Sequence, residues 1–226
     1  MSTAIKTIER KPRVVSDAPP PLLLLLHGYG ANEYDLFDLA DYVDPRFHVV
    51  SARAPLALPW GGFAWYHLSG VPGRLVPDPQ TRARAVDLVE RFVEALPGRV
   101  GTDPRRTYLL GFSQGAIMSF AVAVRRPELV AGLVPISGYL DPALLPPTGV
   151  QALERLPILH MHGTYDEIIP VEAAHMTRDM LRLSGARYAY HEYPIGHGIH
   201  PDGLQLVQTW LAERLAEPVE PFLRGA

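Results

Sequence analysis

The sequence has no cysteine, and this absence excludes disulfide bonds, thiolate metal sites and a cysteine nucleophile. It also lacks an excess of positive charge, because 21 lysine and arginine residues face 24 acidic ones, so we expect no nucleic-acid partner. Long apolar runs are missing too. The most apolar stretch, Leu22–Leu26, is far shorter than the roughly 20 residues that cross a bilayer. We therefore expect no stable membrane insertion.

The first ten residues contain no apolar segment of the kind that a secretory signal needs, which favours a cytoplasmic protein. The chain has 226 residues, 47% of them hydrophobic, which is enough for one domain with a substantial core. Neither an internal repeat nor a shift of composition marks a boundary. We predict a single domain over residues 1–226.

Short apolar segments alternate along the chain with segments in which apolar residues recur at helical spacing. Leu22–Leu26 is apolar throughout, as in a strand buried on both faces. The spacing at 85–96 predicts a helix that Pro97 ends, and Asn32 is a candidate cap of another helix. This alternation predicts an α/β fold in three layers, with helices on both faces of a mostly parallel sheet. One or two strands at a sheet edge are predicted within 3–15. Further strands are predicted at 48–51, 106–110, 130–137, 157–162 and 187–193, and further helices at 116–122, 171–183 and 204–215.

Ligands of such sheets bind at the carboxyl ends of the strands, so chemically active residues should directly follow them. The pentapeptide GFSQG at 111–115 stands between a β-prone apolar run and a helical segment. A serine in a G-x-S-x-G turn of this kind has a strained backbone and an exposed hydroxyl near the positive end of the following helix. Ser113 is therefore a candidate nucleophile.

An acid and a histidine follow two later strands. Asp166 stands in the motif HGTYDE after the strand at 157–162, and His197 stands between two glycines after the last strand. Serine, acid and histidine in this chain order are typical of α/β-hydrolases. Two competitors stay open, because Asp141 is an acid one strand earlier and His200 is close to His197. The position of His200 before Pro201 favours a role at the start of the last helix.

A glycine-rich turn, HGYG at 27–30, follows the first buried strand. Acyl transfer places negative charge on the former carbonyl oxygen, and two aimed N–H groups stabilise this oxyanion. We expect these groups to be the backbone N–H of Gln114, directly after the serine, and that of Tyr29 in this turn. His27 is interpreted as a brace of the loop.

At these residues the chain resembles the phospholipase/carboxylesterase family of the α/β-hydrolase superfamily, which includes acyl-protein thioesterases and small bacterial carboxylesterases. The resemblance extends from residue 27 to 199 and is carried by the motifs HGYGANE, GFSQG, HGTYD and GHGI. It implies the triad and oxyanion roles given above. The family often has an acid after the motif histidine, where this chain has Gly198. That departure bears on the rim of the site and leaves the triad intact.

The predicted function is a serine hydrolase that cleaves carboxylic esters, or thioesters or lysophospholipids, through an acyl-enzyme on Ser113. Its partner would be a small-molecule acyl ester or thioester, no metal or cofactor is expected, and a homodimer is compatible with the sequence. Activity should fall below about pH 6–6.5 as the catalytic histidine protonates. Two other classes stay open: a catalytically inactive hydrolase-fold binding protein, and a metal-dependent hydrolase that would draw on the paired histidines at 160, 162, 197 and 200.

The aromatic segment WGGFAWY at 60–66 follows the second parallel strand, on the side of the predicted site. It resembles the substrate-side loop of the family, and Trp65 and Tyr66 are the predicted substrate-binding residues. Packing of these aromatic side chains in the core is the open alternative. No stretch between two strands is long enough for a large cap domain. An open, shallow site is therefore expected, which favours short or unhindered acyl esters.

Overall fold

The computed structural model describes residues 5–218, and these residues form eleven β-strands and four α-helices. The strands are β1 (Thr7–Arg10), β2 (Leu22–Leu26), β3 (His48–Ala52), β4 (Leu56–Ala57), β5 (Phe63–Ala64), β6 (Leu68–Val71), β7 (Arg74–Pro77), β8 (Thr107–Phe112), β9 (Gly132–Ile136), β10 (Pro157–Gly163) and β11 (Arg187–Tyr193). The α-helices are α1 (Pro79–Val100), α2 (Gln114–Arg125), α3 (Val171–Leu181) and α4 (Pro201–Ala216), with short 3-10 helices at Phe37–Asp41, Pro104–Arg106, Pro127–Leu129, Pro142–Leu144 and Gly149–Leu153.

Seven of the strands form one sheet in the order β1-β3-β2-β8-β9-β10-β11. Only the edge strand β1 is antiparallel to its neighbour, so the predicted mostly parallel sheet is confirmed. The carboxyl ends of β2, β8, β9, β10 and β11 therefore lie at the same edge of the sheet. The short pairs β4–β5 and β6–β7 lie outside it. No segment among the described residues forms a large cap domain over that edge.

The five consecutive leucines of β2 divide the core into two layers. Leu22, Leu24 and Leu26 belong to the cluster formed with α1, α2 and α3, whereas Leu23 and Leu25 belong to the cluster formed with α4 and the segment 36–47. Successive side chains of a strand point to opposite faces, so an apolar run of this kind requires cover on both sides. The three-layer prediction is confirmed. None of the helices within residues 5–218 has the length and apolar character that a bilayer span requires.

Two local predictions were wrong. Helix α1 does not end at Pro97 but continues to Val100. A proline in the last turn removes only one intrahelical hydrogen bond, and Gly101 is the C-cap that ends the helix. Gly101 adopts a left-handed conformation (φ 73°) and donates its N–H to the Pro97 carbonyl at 2.9 Å. Asn32 caps no α-helix. Its Oδ1 accepts the Tyr34 N–H at 2.9 Å in a local turn, and a 3-10 helix follows five residues later.

Gly115, in the first turn of α2, is a point of close contact between this helix and the sheet. An ideal Cβ there would lie 1.9 Å from the carbonyl oxygen of Leu26, a backbone atom held in β2. We predict that Gly115→Ala lowers the free energy of unfolding by about 3 kcal/mol, because the helix must move away from the sheet. The control is Gly98→Ala in α1, where a Cβ meets nothing within 4 Å. Helix propensity should make that variant more stable by about 1 kcal/mol. Urea denaturation measures both values, and an unperturbed Gly115→Ala protein would contradict the contact.

Candidate active site

Ser113 occupies the turn between β8 and α2. Its backbone has φ 55° and ψ −117°, a left-handed conformation that costs a residue with a side chain about 1–3 kcal/mol. The Ser113 N–H donates to the Ile136 carbonyl at 2.9 Å, which holds the turn against β9. An ideal Cβ on Gly111 would lie 2.3 Å from the Gly115 carbonyl oxygen, so the turn can form only with glycine at that position. The serine is thus presented at the amino end of α2.

His197 links this serine to an acid. Its Nε2 lies 2.9 Å from Ser113 Oγ, and its Nδ1 lies 2.7 Å from Asp166 Oδ2. A carboxylate only accepts, so Nδ1 carries the imidazole hydrogen and Nε2 accepts the hydrogen of the serine hydroxyl. The three residues follow β8, β10 and β11, and the structure brings them together at the carboxyl edge of the sheet. The Asp166 side chain has no exposed surface, whereas that of His197 is 18% exposed.

Four donors surround the Asp166 carboxylate. Oδ1 accepts the backbone N–H groups of Ile168 and Ile169, both at 2.9 Å, while Oδ2 lies 2.7 Å from His197 Nδ1 and 3.3 Å from His162 Nε2. Burial acts to raise the pKa of Asp166, but the hydrogen bonds from His162, His197 and the Ile169 N–H outweigh it and hold this pKa well below the usual range. Asp166 therefore stays ionised wherever histidines titrate, and an acid limb in the rate would report a histidine.

Ser137, directly after β9, anchors the histidine loop. Its hydroxyl donates to the carbonyl of Gly198 at 3.1 Å, and its N–H donates to the carbonyl of Met161 at 2.9 Å. Ser137 is fully buried, and its φ of 50° is a strained conformation for a residue with a side chain. The strained residue is the one that connects the loop carrying His197 to the sheet. The Phe112 ring supports the imidazole from β8, with ring centroids 5.0 Å apart. Sequence analysis missed Ser137, although a serine and a glycine directly after a buried strand were the available signal.

The turn after β2 places one peptide group beside the serine. Gly28 packs so closely that an ideal Cβ on it would lie 3.2 Å from Ser113 Cβ. His27 Nδ1 donates to the Gly28 carbonyl at 2.7 Å, and His27 Nε2 accepts the Ala54 N–H at 3.0 Å. Burial lowers the pKa of His27, in keeping with this neutral form. The Gly28 carbonyl and the Tyr29 N–H belong to one trans peptide and point in opposite directions, so His27 also sets the direction of the Tyr29 N–H.

Gln114 is the first residue of α2, where a backbone N–H has no intrahelical acceptor. Its side chain bridges the aromatic segment: Oε1 accepts the Trp65 N–H and Nε2 donates to the Tyr66 carbonyl, both at 2.8 Å. The Trp65 indole donates to the His27 carbonyl at 2.9 Å. Both residues are only 1% exposed and lie in the core, which favours the packing alternative, while their role as substrate-binding residues stays a prediction. Their hydrogen bonds connect the two turns that carry Tyr29 and Gln114.

The two competitors have other partners. Asp141 forms an ion pair with Arg82 and accepts the Ala143 N–H at 2.9 Å at the start of a 3-10 helix. His200 is the N-cap of α4, where its Nδ1 accepts the Asp202 N–H at 3.2 Å, as its position before a proline predicted.

The histidine pair of β10 is also engaged. His160 is fully buried between the Gly138 carbonyl at 3.0 Å and the Tyr188 hydroxyl at 2.9 Å. Burial, reinforced by His162, lowers the pKa of His160 to about 3. Within residues 5–218, no three histidine, aspartate or glutamate side chains are grouped so that they could hold a metal ion.

A mostly parallel sheet between two layers of helices, with a serine-histidine-aspartate chain at its carboxyl edge, defines an α/β-hydrolase. The chain belongs to the phospholipase/carboxylesterase family, whose sequence model matches residues 10–215. It is a carboxylesterase-type hydrolase, and the resemblance seen in the motifs is confirmed.

Individual relatives agree with this assignment. The chain is 30% identical over 161 residues to the putative esterase NocK of Nocardia uniformis subsp. tsuyamanensis. The aligned region covers 67% of this chain but only 42% of NocK. It is 26% identical over 207 residues to a probable carboxylesterase SOBER1-like of Arabidopsis thaliana, covering 85% of this chain and 78% of the relative. The crystal structure of esterase PE8 matches with a TM-score of 0.79 and 28% identity, covering 92% of this chain and 98% of that one.

Proposed function

We propose that this protein hydrolyses carboxylic esters through a covalent acyl-enzyme on Ser113, with His197 and Asp166 completing a catalytic triad. The observation that carries the proposal is the continuous hydrogen-bonded chain from Ser113 Oγ through both nitrogens of His197 to Asp166 Oδ2, with links of 2.9 and 2.7 Å. A base within hydrogen-bond reach of the nucleophile, itself oriented by a third group, is the arrangement that activates a serine.

The first half of the reaction forms the acyl-enzyme. As Ser113 Oγ bonds to the ester carbonyl carbon, its proton passes to Nε2 of His197. Asp166 keeps the other imidazole hydrogen on Nδ1 and stabilises the imidazolium. The carbon–oxygen bond to the leaving alcohol then breaks, and the alcohol takes the proton from Nε2. A thioester would react in the same way, with a thiol as the leaving group.

Water completes the cycle at the same atoms. It gives one proton to His197 Nε2 while its oxygen attacks the acyl carbon, and the proton returns to Ser113 Oγ as the carboxylic acid leaves. In both halves the oxyanion would be held by the backbone N–H groups of Tyr29 and Gln114. Support for this pair comes from the His27 hydrogen bond, which directs the Tyr29 N–H, and from the position of Gln114 at the positive end of α2.

The site favours small or unhindered acyl esters. The His197 side chain is 18% exposed, and no segment among residues 5–218 forms a large cap over the carboxyl edge of the sheet, which supports an open site. No metal or cofactor takes part in the proposed steps. The cytoplasmic location, the single domain and a homodimer stay predictions.

Labelling with a fluorophosphonate probe tests the proposal. An activated serine displaces the fluoride of such a probe, so we expect one stoichiometric adduct on the peptide that contains Ser113, located by mass spectrometry, together with hydrolysis of p-nitrophenyl acetate. Hydrolysis should be unchanged in chelator, and short p-nitrophenyl esters should be cleaved faster than the palmitate. A protein that takes up no label and cleaves neither the ester panel nor an acyl thioester would be a binding protein on this fold, and the proposal would fail.

A further inference from the structure

His162 is a buried histidine beside the acid, and the reaction proposed above does not use it. It lies at the carboxyl end of β10, four residues before Asp166, and its side chain has no exposed surface. Its Nε2 lies 2.8 Å from the carbonyl oxygen of Ile169 and 3.3 Å from Asp166 Oδ2. Both neighbours only accept hydrogen bonds, so Nε2 carries the ring hydrogen and shares it between them.

This shared hydrogen bond completes the surroundings of the acid. The same oxygen, Oδ2, receives the Nδ1–H of His197, while Oδ1 is occupied by two backbone N–H groups. Each oxygen of Asp166 thus has two donors, and the carboxylate cannot rotate without breaking some of them. The His162 backbone is paired with Glu192 of β11, so this donor is attached to the sheet and not to a loop.

We propose that His162 is a positioning residue that orients the Asp166 carboxylate and sets how strongly it attracts the proton of His197. This inference rests on the proposed function, because Asp166 matters for turnover only if His197 is the base. A second donor on Oδ2 withdraws negative charge from the oxygen that faces His197. Without it, Asp166 would stabilise the imidazolium more and would hold the ring less firmly.

Other charged groups near this cluster are few among the described residues. On the same strand, the ring centroid of His160 lies 6.3 Å from that of His162. On β11, Glu192 forms an ion pair with His175 of α3 at 2.6 Å. From the loop after β11, His197 forms hydrogen bonds with Asp166 and Ser113 and a ring contact with the neutral side chain of Phe112. A change at His162 should therefore reach His197 through Asp166.

Two variants separate positioning from packing. His162→Leu keeps a buried side chain but removes the donor, whereas His162→Gln keeps an N–H group at nearly the same reach. We expect kcat/KM of the leucine variant to fall about tenfold, the scale of one hydrogen bond to a charged group. Its acid limb should move to higher pH, because an Asp166 carboxylate with one donor fewer stabilises the imidazolium more strongly. The kcat/KM of the glutamine variant should stay within about threefold of the wild-type value, and its acid limb should lie at the same pH as that of the wild type.

The matched control is His48→Leu, at the opposite end of the sheet. His48 is also buried and also contacts a carboxylate, Glu9, at 2.8 Å, but it begins strand β3, far from the carboxyl edge. This variant should be less stable with unchanged kcat/KM and pH profile. A leucine variant at His162 that behaves like this control would overturn the inference, because His162 would then serve packing only.

A measurement on the wild-type protein does not depend on catalysis or on the folding of a variant. Nitrogen-15 NMR of the histidine rings should show His162 with its hydrogen on Nε2. A hydrogen on Nδ1 of His162 would overturn the inference. If the rings behave as expected but the wild type takes up no fluorophosphonate, the positioning contact stands and the proposed function fails.

Discussion

Replacement of Ser113 by alanine should reduce kcat/KM for p-nitrophenyl acetate by about 10⁴–10⁶-fold, the loss expected when a triad nucleophile is removed. Alanine keeps the Cβ and loses only the oxygen that bonds to the acyl carbon, so the turn at φ 55° is preserved. Stopped-flow or long-time spectrophotometric assays measure the residual rate. The urea midpoint should change little, which separates lost chemistry from lost folding.

Ser119→Ala is the control for this variant. Ser119 is another buried serine of α2, and its hydroxyl donates to the Gly115 carbonyl at 2.8 Å. Loss of that bond should alter stability by about 1 kcal/mol and leave turnover within about threefold. If Ser113→Ala keeps more than about 1% of the wild-type rate, another group is the nucleophile, because removal of a catalytic nucleophile leaves a far lower rate.

The Asp166→Asn variant should lose about 10³–10⁴-fold in kcat, because the amide reverses the direction of one hydrogen bond. The N–H groups of Ile168 and Ile169 require an acceptor at the Oδ1 position, so the amide oxygen must stay there. The amide nitrogen then faces His197 Nδ1. The ring responds by moving its hydrogen to Nε2, which can no longer accept the proton of Ser113.

Asp141→Asn provides the comparison, because Asp141 is also a largely buried aspartate that accepts a backbone N–H two residues further on. Its second oxygen pairs with Arg82 and has no part in the proposed reaction. This variant should be less stable to urea while kcat stays within about threefold of the wild type, since only the ion pair is weakened. Equal losses of kcat in the two variants would return Asp141 to consideration as the acid.

Much of this site could be predicted from local sequence because local sterics determine it. Gly111, two residues before Ser113, is required by contacts within the turn itself, and the order of serine, acid and histidine follows from which strands they terminate. The position of the histidine beside Pro201 identified His200 as a helix start for the same reason. Such patterns involve neighbours in the chain, so they can be read without knowing which strands are adjacent.

Contacts between distant segments could not be read in this way. The aromatic pair at 65–66 has the composition of a substrate-binding loop, yet it lies in the core, where its backbone is hydrogen-bonded to the Gln114 side chain, 49 residues away along the chain. The bond from Ser137 to Gly198 and the shared hydrogen bond of His162 likewise join segments whose proximity depends on the order of the strands. Pro97 was misread for a different, local reason, because the end of α1 is set by the cap at Gly101, four residues further on, and not by the proline.

The sequence by itself determined the α/β fold, the turn that presents Ser113, and the three side chains predicted to act together, because apolar periodicity and tight-turn sterics are properties of short stretches of chain. The tertiary structure alone decided how those side chains are held. The four donors around Asp166, the direction of the Tyr29 peptide and the burial of Trp65 and Tyr66 all depend on strand order and packing. Burial makes each unpaired polar group costly, so the fold supplies partners from wherever the chain brings them close.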